Sequence, residues 1–284
     1  MKSIELVICF LVLLILLSAI SRNYVDIFIE GLVLLNLISH QFLYPDLVDY
    51  RHIVQTSAFS ALSLLHVTLL MGPLSKFSKR FAPSLKHRRH IGVSVFLLGL
   101  IHSFFVIANY YKFDPKLIYS IEANLFGSTT LLILTALAGT STNYFQSKVP
   151  VRIYNLIHTG LLASYILYIL ILNILGFTQL VTWQILSLLG IILVWSLILP
   201  WTLPRKLFIR VNGWKQLHFL VYLAYFALII HSWTGYFQYE KLAMQLTFWV
   251  PFVVVAAVHI AGWTRKLQAK SRMAELNANP PSLS

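Results

Sequence analysis

The sequence predicts an all-α fold, a polytopic bundle of about eight or nine membrane-spanning helices. The chain of 284 residues is 58% hydrophobic and 11% charged, and its mean hydropathy is +0.76. A soluble domain usually carries about a quarter charged residues. Apolar runs of about twenty residues, the length of one helical crossing of a bilayer, recur along the chain. Because lipid offers no hydrogen-bond partners, these continuous runs are predicted to be helices.

The first two predicted spans differ from the rest. Residues 1–24 combine a basic start with an apolar run, which is typical of a signal peptide or of a retained helix. The long run and the absence of a clear small-x-small cleavage site favour a retained helix. The second span has Asp26 and Glu30 at its start, so we expect it to be partly interfacial. The predicted spans are 4–21, 26–44, 54–72, 90–111, 124–142, 152–174, 181–203, 214–235 and 245–264.

Basic residues alternate along the connections between these spans. Lys and Arg dominate the segments 72–90, 143–152, 205–215 and 265–272, whereas acidic residues offset them in the other connections. The positive-inside rule therefore places those four segments, and the C-terminus, in the cytoplasm. The net charge of +13 suits contact with an anionic leaflet better than nucleic-acid binding. We expect a multi-pass protein of the bacterial inner (plasma) membrane.

Histidines stand out among the polar residues of the spans. The chain has ten, and several fall at membrane depth, where a polar side chain needs a partner, a cavity or a metal. A single one would most simply form a helix–helix hydrogen bond. Several of them, with few acidic residues nearby, favour haem over a proton relay. Two alternatives stay open: a transporter with a histidine-lined polar path, and a haem-free membrane scaffold.

Two histidines of span 214–235 lie at different depths. His218 and His231 are thirteen residues apart, which is about 20 Å along a helix. Each can therefore supply an axial ligand to a b-type haem, one near each face of the membrane. Counting depth pairs His231 with His102 in the outer half. The candidates to pair with His218 in the inner half are His158 and, as alternatives, His66 and His90.

The basic run before span 90–111 has two interpretations. Arg88 and Arg89 follow Lys86 at the predicted cytoplasmic face, where such a run usually anchors topology. They could instead bind a cofactor, contacting haem propionates or the head group of a flavin or quinone. No glycine-rich dinucleotide fingerprint or phosphate-binding loop accompanies them. The single cysteine, Cys9, excludes an intramolecular disulfide and a Cys-ligated cluster.

Four stretches resemble ferric-reductase-like membrane domains. "HRRHIGVSVFLLGLIHSFF" (87–105) has the basic pair, glycine and later histidine of one family helix, and residues 49–76 are similar to the helix before it. Residues 136–158 and the pattern from Trp214 to His231 also resemble the family. The similarity is greatest to the haem-binding membrane subunit of the bacterial methionine sulfoxide reductase system. NADPH oxidases and metalloreductases share the same membrane core.

The resemblance implies a domain plan and a function. Residues 49–235 would form a six-helix haem bundle, preceded by membrane helices in 1–48 and followed in 236–284 by a last helix and a short tail. The bundle would be an oxidoreductase, or the haem subunit of one, holding one or two b-type haems and in some cases FMN or a quinone. Electrons would come from a separate flavoprotein or quinol and leave to an outer-face acceptor such as a reductase subunit.

By motif, the resemblance assigns haem ligation to His102, His218 and His231, and also to His158. Two positions depart from the family pattern. Ile171 stands where a second histidine of span 152–174 would fall, so either that span or span 214–235 could be the second ligand helix. Arg88 stands four residues before Gly92, where members with two haems carry a histidine. These departures count against the inner haem site more than against the outer one.

Overall fold

The computed structural model describes most of the predicted bundle. It describes residues 49–120, 122–141, 148–174, 217–240 and 242–278, together with 29, 31–36, 38 and 190. These residues form helices and short connections, without any strand. The predicted span 4–21, nearly all of 181–203 and the basic segment 205–215 lie outside the described residues. Of the predicted span 26–44, residues 31–36 are helical.

Seven α-helices make up the described part of the chain. In order they are α1 (Asp49–Phe77), α2 (Arg88–Asn109), α3 (Pro115–Ser120), α4 (Glu122–Gly139), α5 (Val151–Ile174), α6 (Leu220–Gly235) and α7 (Leu242–Ala278). A 3₁₀ helix, Lys79–His87, connects α1 to α2, and another, Phe237–Tyr239, lies between α6 and α7.

The helix bounds differ from the prediction in two places. The basic segment 72–90 is largely helical, because α1 continues through Pro73 and the Ser78 side chain caps the following 3₁₀ helix by accepting from Arg80 N. Helix α7 continues to Ala278, past the predicted end at 264. Its last turns are rich in Lys, Gln, Ala and Met, which favour helix in water as well as in lipid.

Among the described residues, three helical segments are long and apolar enough to cross a membrane. They are Tyr50–Phe77, Lys79–Asn109 and Phe248–Gln268. Shorter apolar helices cover Ala123–Gly139, Leu156–Ile171 and Leu220–Gly235. Helix α5 exposes large apolar side chains, including Leu156 at 70% and Ile174 at 73%, which suits a surface in contact with lipid. The chain is an integral membrane protein, while the total of eight or nine spans stays a prediction.

Helices α1, α2, α4 and α6 surround the core. Helix α1 packs along α2, α6 packs along α4, and α7 lies against α1. Leu64 of α1, Phe126 of α4 and Ala224 of α6 are completely buried between them. The end of this bundle that contains Asn109 and Gly235 is called the outer end here, after the predicted topology, and the opposite end the inner end.

Small residues bring α4 and α6 close together near the outer end. An added Cβ at Gly235 would lie 3.3 Å from the Ala123 Cβ. Deeper in the bundle, Thr130 Oγ1 donates to the Ala224 carbonyl across the two helices, at 3.1 Å. Such close packing through small residues, with an interhelical hydrogen bond, is typical of helices associating in lipid. It fixes the position of α6 against α4 and therefore the depth of the α6 histidines.

Candidate functional site

Two predicted ligands meet near the outer end of the bundle. His102 of α2 and His231 of α6 have ring centroids 6.1 Å apart, and their ring planes are inclined by 77°. Both side chains are partly buried between the helices. The structure therefore brings together two imidazoles separated by 129 positions (231 − 102) in the sequence.

Backbone carbonyls orient both rings. The Nδ1 atom of His102 lies 2.9 Å from the Val54 carbonyl oxygen, and that of His231 lies 2.7 Å from the Ala123 carbonyl oxygen. A carbonyl oxygen only accepts, so each Nδ1 carries the proton and donates it. In a neutral imidazole the lone pair then belongs to Nε2. Metal-binding histidines are usually held in this way by a hydrogen bond from the second ring nitrogen.

The spacing of the two rings fits a shared metal ion. Imidazole nitrogens bind first-row metals at about 2.0 Å, as in zinc sites. Two axial imidazoles on opposite sides of one ion would therefore have ring centroids about 6 Å apart. The observed separation is 6.1 Å. Haem suits such a pair, since the macrocycle supplies the other four ligands and iron takes two axial ones from the protein.

Larger clusters of metal-ligating side chains are absent from the described part of the chain. Among those residues, no group of three or more His, Cys, Asp or Glu side chains could hold a metal ion. A bare ion bound by four protein ligands therefore finds no set of ligands there. The His102–His231 pair suits a group that brings most of its own ligands.

A cavity of about 650 Å³ lies at the inner end, between α1, α2, α4 and α6. Its wall is basic, since Lys86, Arg88 and Arg89 all line it, and His218 faces it from the chain just before α6. Other polar groups contribute hydroxyls, and apolar residues complete the wall. These further lining residues include Leu65, Thr68, Val95, Leu137, Ser141 and Tyr222.

Two hydroxyl groups lie at the cavity wall near His218 and α7. The Nε2 atom of His218 lies 3.4 Å from Ser141 Oγ. Tyr222 OH lies 3.3 Å from His259 Nε2 of α7, whose ring is oriented by an Nδ1 hydrogen bond to the Val255 carbonyl at 2.9 Å. Hydroxyl and imidazole groups are therefore both present at this end of the bundle. Sequence patterns gave Ser141 and Tyr222 no role in a binding site, because both line the cavity only through the packing of the helices.

The other predicted histidines lie elsewhere. His158 is fully buried on α5 and is not among the side chains that line the inner cavity with His218. His66 is buried on α1, where its ring meets Tyr225 edge-on at 5.5 Å. His90 is exposed at the start of α2. The proposed partners of His218 are thus not found beside it in the described cavity wall, whereas both predicted cofactor-binding residues, Arg88 and Arg89, are.

Comparison with known proteins identifies the membrane domain. Residues 57–170 match the family described as ferric reductase like transmembrane component. The match runs from α1 to α5 and includes His102 and His158, while His218 and His231 lie beyond it. No curated protein and no solved structure matches the chain. The resemblance inferred from the sequence is confirmed: this is an integral membrane protein whose segment 57–170 matches the ferric-reductase-like transmembrane family.

Proposed function

We propose that the chain is a b-type cytochrome that transfers electrons across the membrane, with His102 and His231 as axial ligands of a haem near the outer end. The observation that carries this proposal is the 6.1 Å spacing of two rings whose Nδ1 atoms both donate to backbone carbonyls. The family match supports it, because a ferric-reductase-like domain suggests transmembrane electron transfer.

The protein's contribution is to hold and tune the bound group. A bound haem supplies one-electron redox chemistry at its iron. Hydrogen bonds to the Val54 and Ala123 carbonyls hold the two rings in place. They also make each Nε2 atom a stronger electron-pair donor towards a metal. The partly buried setting of His102 and His231 between the helices would strengthen their electrostatic interactions with a bound iron.

The inner cavity is proposed to receive the electron donor. Guanidinium groups such as those of Arg88 and Arg89 recognise anionic or carbonyl oxygens, which a quinol, FMN or a docked flavoprotein would present. His218 and Ser141 add hydrogen-bonding groups to the same wall. A second haem bound by two histidines has less support, since His218 is the one histidine among the described lining residues. His158 stays a predicted haem ligand.

The first experiment is a dithionite-reduced minus oxidised spectrum of detergent-purified protein, with pyridine haemochrome quantitation. We expect a b-type α-band and one haem per chain. His102→Ala and His231→Ala should each lose the band, because a single remaining imidazole leaves one axial position empty. His90→Ala is the matched control on α2, since His90 is exposed at the start of that helix.

Two results would contradict the proposal. A wild-type spectrum from His231→Ala would exclude the ligand assignment. A wild-type protein without any haem band, made in cells with ample haem, would favour the haem-free scaffold. Under the transporter alternative, the same haem-free protein would show a pH-dependent flux in vesicles. Two haems per chain would instead restore the inner haem site.

A further inference from the structure

Gly127 of α4 lies directly against the imidazole of His231. A Cβ added at Gly127 would be 2.8 Å from His231 Nδ1, 2.9 Å from its Cε1 and 3.3 Å from its Cγ. Real Cβ atoms essentially never approach a neighbour below 3.0 Å. The ring therefore occupies the space that any other residue at position 127 would need.

The same turn of α4 also supplies the ring's hydrogen bond. Ala123 is four residues before Gly127, so the two share one face of the helix. Its carbonyl oxygen accepts from His231 Nδ1 at 2.7 Å. The Ala123 carbonyl and the bare Cα of Gly127 together form a socket, here called the imidazole socket, which contacts the ring along its Nδ1 edge.

The ring has little freedom to move out of the imidazole socket. The ring of His102 faces it at a centroid distance of 6.1 Å, and His231 itself stands on α6, which the Thr130–Ala224 hydrogen bond ties to α4. A methyl group at position 127 would therefore have to rotate the imidazole or push α6 away from α4. Either movement lengthens the Nδ1 hydrogen bond and changes the direction of the Nε2 lone pair.

Other glycines provide the comparison. Among the described glycines, Gly127 is the one where an added Cβ would come within 3.0 Å of a neighbour. Gly160, in the interior of α5, has nothing within 4 Å of its added Cβ. A glycine inside a helix is less stable than an alanine, so Gly160 and Gly127 carry a similar intrinsic penalty. The two glycines differ in what an added Cβ would touch.

We propose that Gly127 is a positioning residue: it seats the His231 imidazole and so sets the orientation of that axial ligand. The effect of Gly127 on a bound haem rests on the proposed function, whereas its contact with the His231 ring does not. Residues that orient a metal ligand commonly change metal affinity by about 10-fold to 100-fold when they are altered.

The first test compares Gly127→Ala with Gly160→Ala in the haem-loaded protein. We expect Gly127→Ala to weaken haem binding about 10-fold and to shift both the midpoint potential and the low-spin electron paramagnetic resonance signal. Gly160→Ala should match the wild type in all three. An unchanged potential and resonance signal in Gly127→Ala would overturn the proposal.

A second test needs no haem and separates the ring contact from general damage to the helix. Gly127→Ala is introduced into His231→Ala, which lacks the ring, and into His102→Ala, which keeps it, and thermal unfolding is followed in detergent. We expect the substitution to lower Tm by about 4 °C or more in His102→Ala and to leave Tm unchanged or higher in His231→Ala. Equal losses in both backgrounds would overturn the proposal. Absence of haem from the wild type would contradict the proposed function alone, and this comparison would still decide the role of Gly127.

Discussion

The histidines at the two ends of the bundle have different surroundings. At the outer end, His231 meets a second imidazole at 6.1 Å, and both rings are held by backbone carbonyls. At the inner end, His218 meets a serine hydroxyl at 3.4 Å in a cavity of about 650 Å³ with a basic wall. We propose on this ground that the outer pair binds a metal and that the inner cavity receives an anionic or polar head group.

This contrast shows that the helix carrying a histidine does not decide its role. His218 and His231 belong to one stretch of chain, about 20 Å apart along its axis. What differs is the neighbour: α2 presents His102 at the outer end, whereas it presents Arg88 and Arg89 at the inner end. A second imidazole favours metal ligation, while guanidinium groups favour oxygen-rich ligands.

The largest expected effect is a difference in haem content between His231→Ala and His218→Ala. His231→Ala should abolish the α-band, whereas His218→Ala should keep it at wild-type intensity, because the outer pair is intact in the second variant. Pyridine haemochrome quantitation of both proteins measures the difference. If His218→Ala halved the haem per chain, the inner end would hold a haem as well and the contrast between the two ends would be lost.

An intermediate effect is expected at the basic wall. Arg88→Gln or Arg89→Gln would remove the charge-assisted hydrogen bonds proposed with the electron donor, and such bonds contribute about 1.5–3 kcal/mol each. The concentration of a soluble hydroquinone or of reduced FMN needed for half-maximal haem reduction should rise about 10-fold or more. Stopped-flow measurement of haem reduction tests this, and reduction by dithionite should stay unchanged.

Arg80→Gln is the matched control for that experiment. Arg80 is exposed in the 3₁₀ helix that precedes α2, and it is not among the residues that line the cavity. Equal rises for Arg80→Gln and Arg88→Gln would mean that general surface charge, not the cavity, attracts the donor. A rise with one donor and not the other would identify which of the two chemistries the cavity accepts.

The smallest effect concerns the contact that holds α6 against α4. Thr130→Val removes the interhelical hydrogen bond to the Ala224 carbonyl, and such bonds contribute about 0.6 kcal/mol in membrane proteins. The midpoint of thermal unfolding in detergent should fall slightly, while the haem spectrum is retained. Thr135→Val is the control, because Thr135 is exposed and bonds only within its own helix, to the Leu131 carbonyl. A larger loss from Thr135→Val would contradict the assignment.

Counting residues along the helices predicted the histidine beside His231 correctly, and it did not predict the residues beside His218. Depth along antiparallel and parallel spans pairs His102 with His231, because a helix rises by a constant amount per residue. The same counting assigned His158 to His218, yet His158 lies on α5 and the described cavity wall does not include it. Depth says how far a residue lies across the membrane, and it does not say which helices are neighbours.

The sequence by itself determined the membrane environment of the chain, its helical class, its resemblance to a known family and which residue types could bind a metal, since composition, run length and residue chemistry are local properties. Only the tertiary structure decided that the His102 and His231 rings meet, that the Val54 and Ala123 carbonyls orient them, and that Gly127 makes room for one of them. Those contacts join separate helices, and helix packing depends on side-chain shape across the whole interface. Arg88 likewise became a cavity residue only when α1, α4 and α6 closed around it.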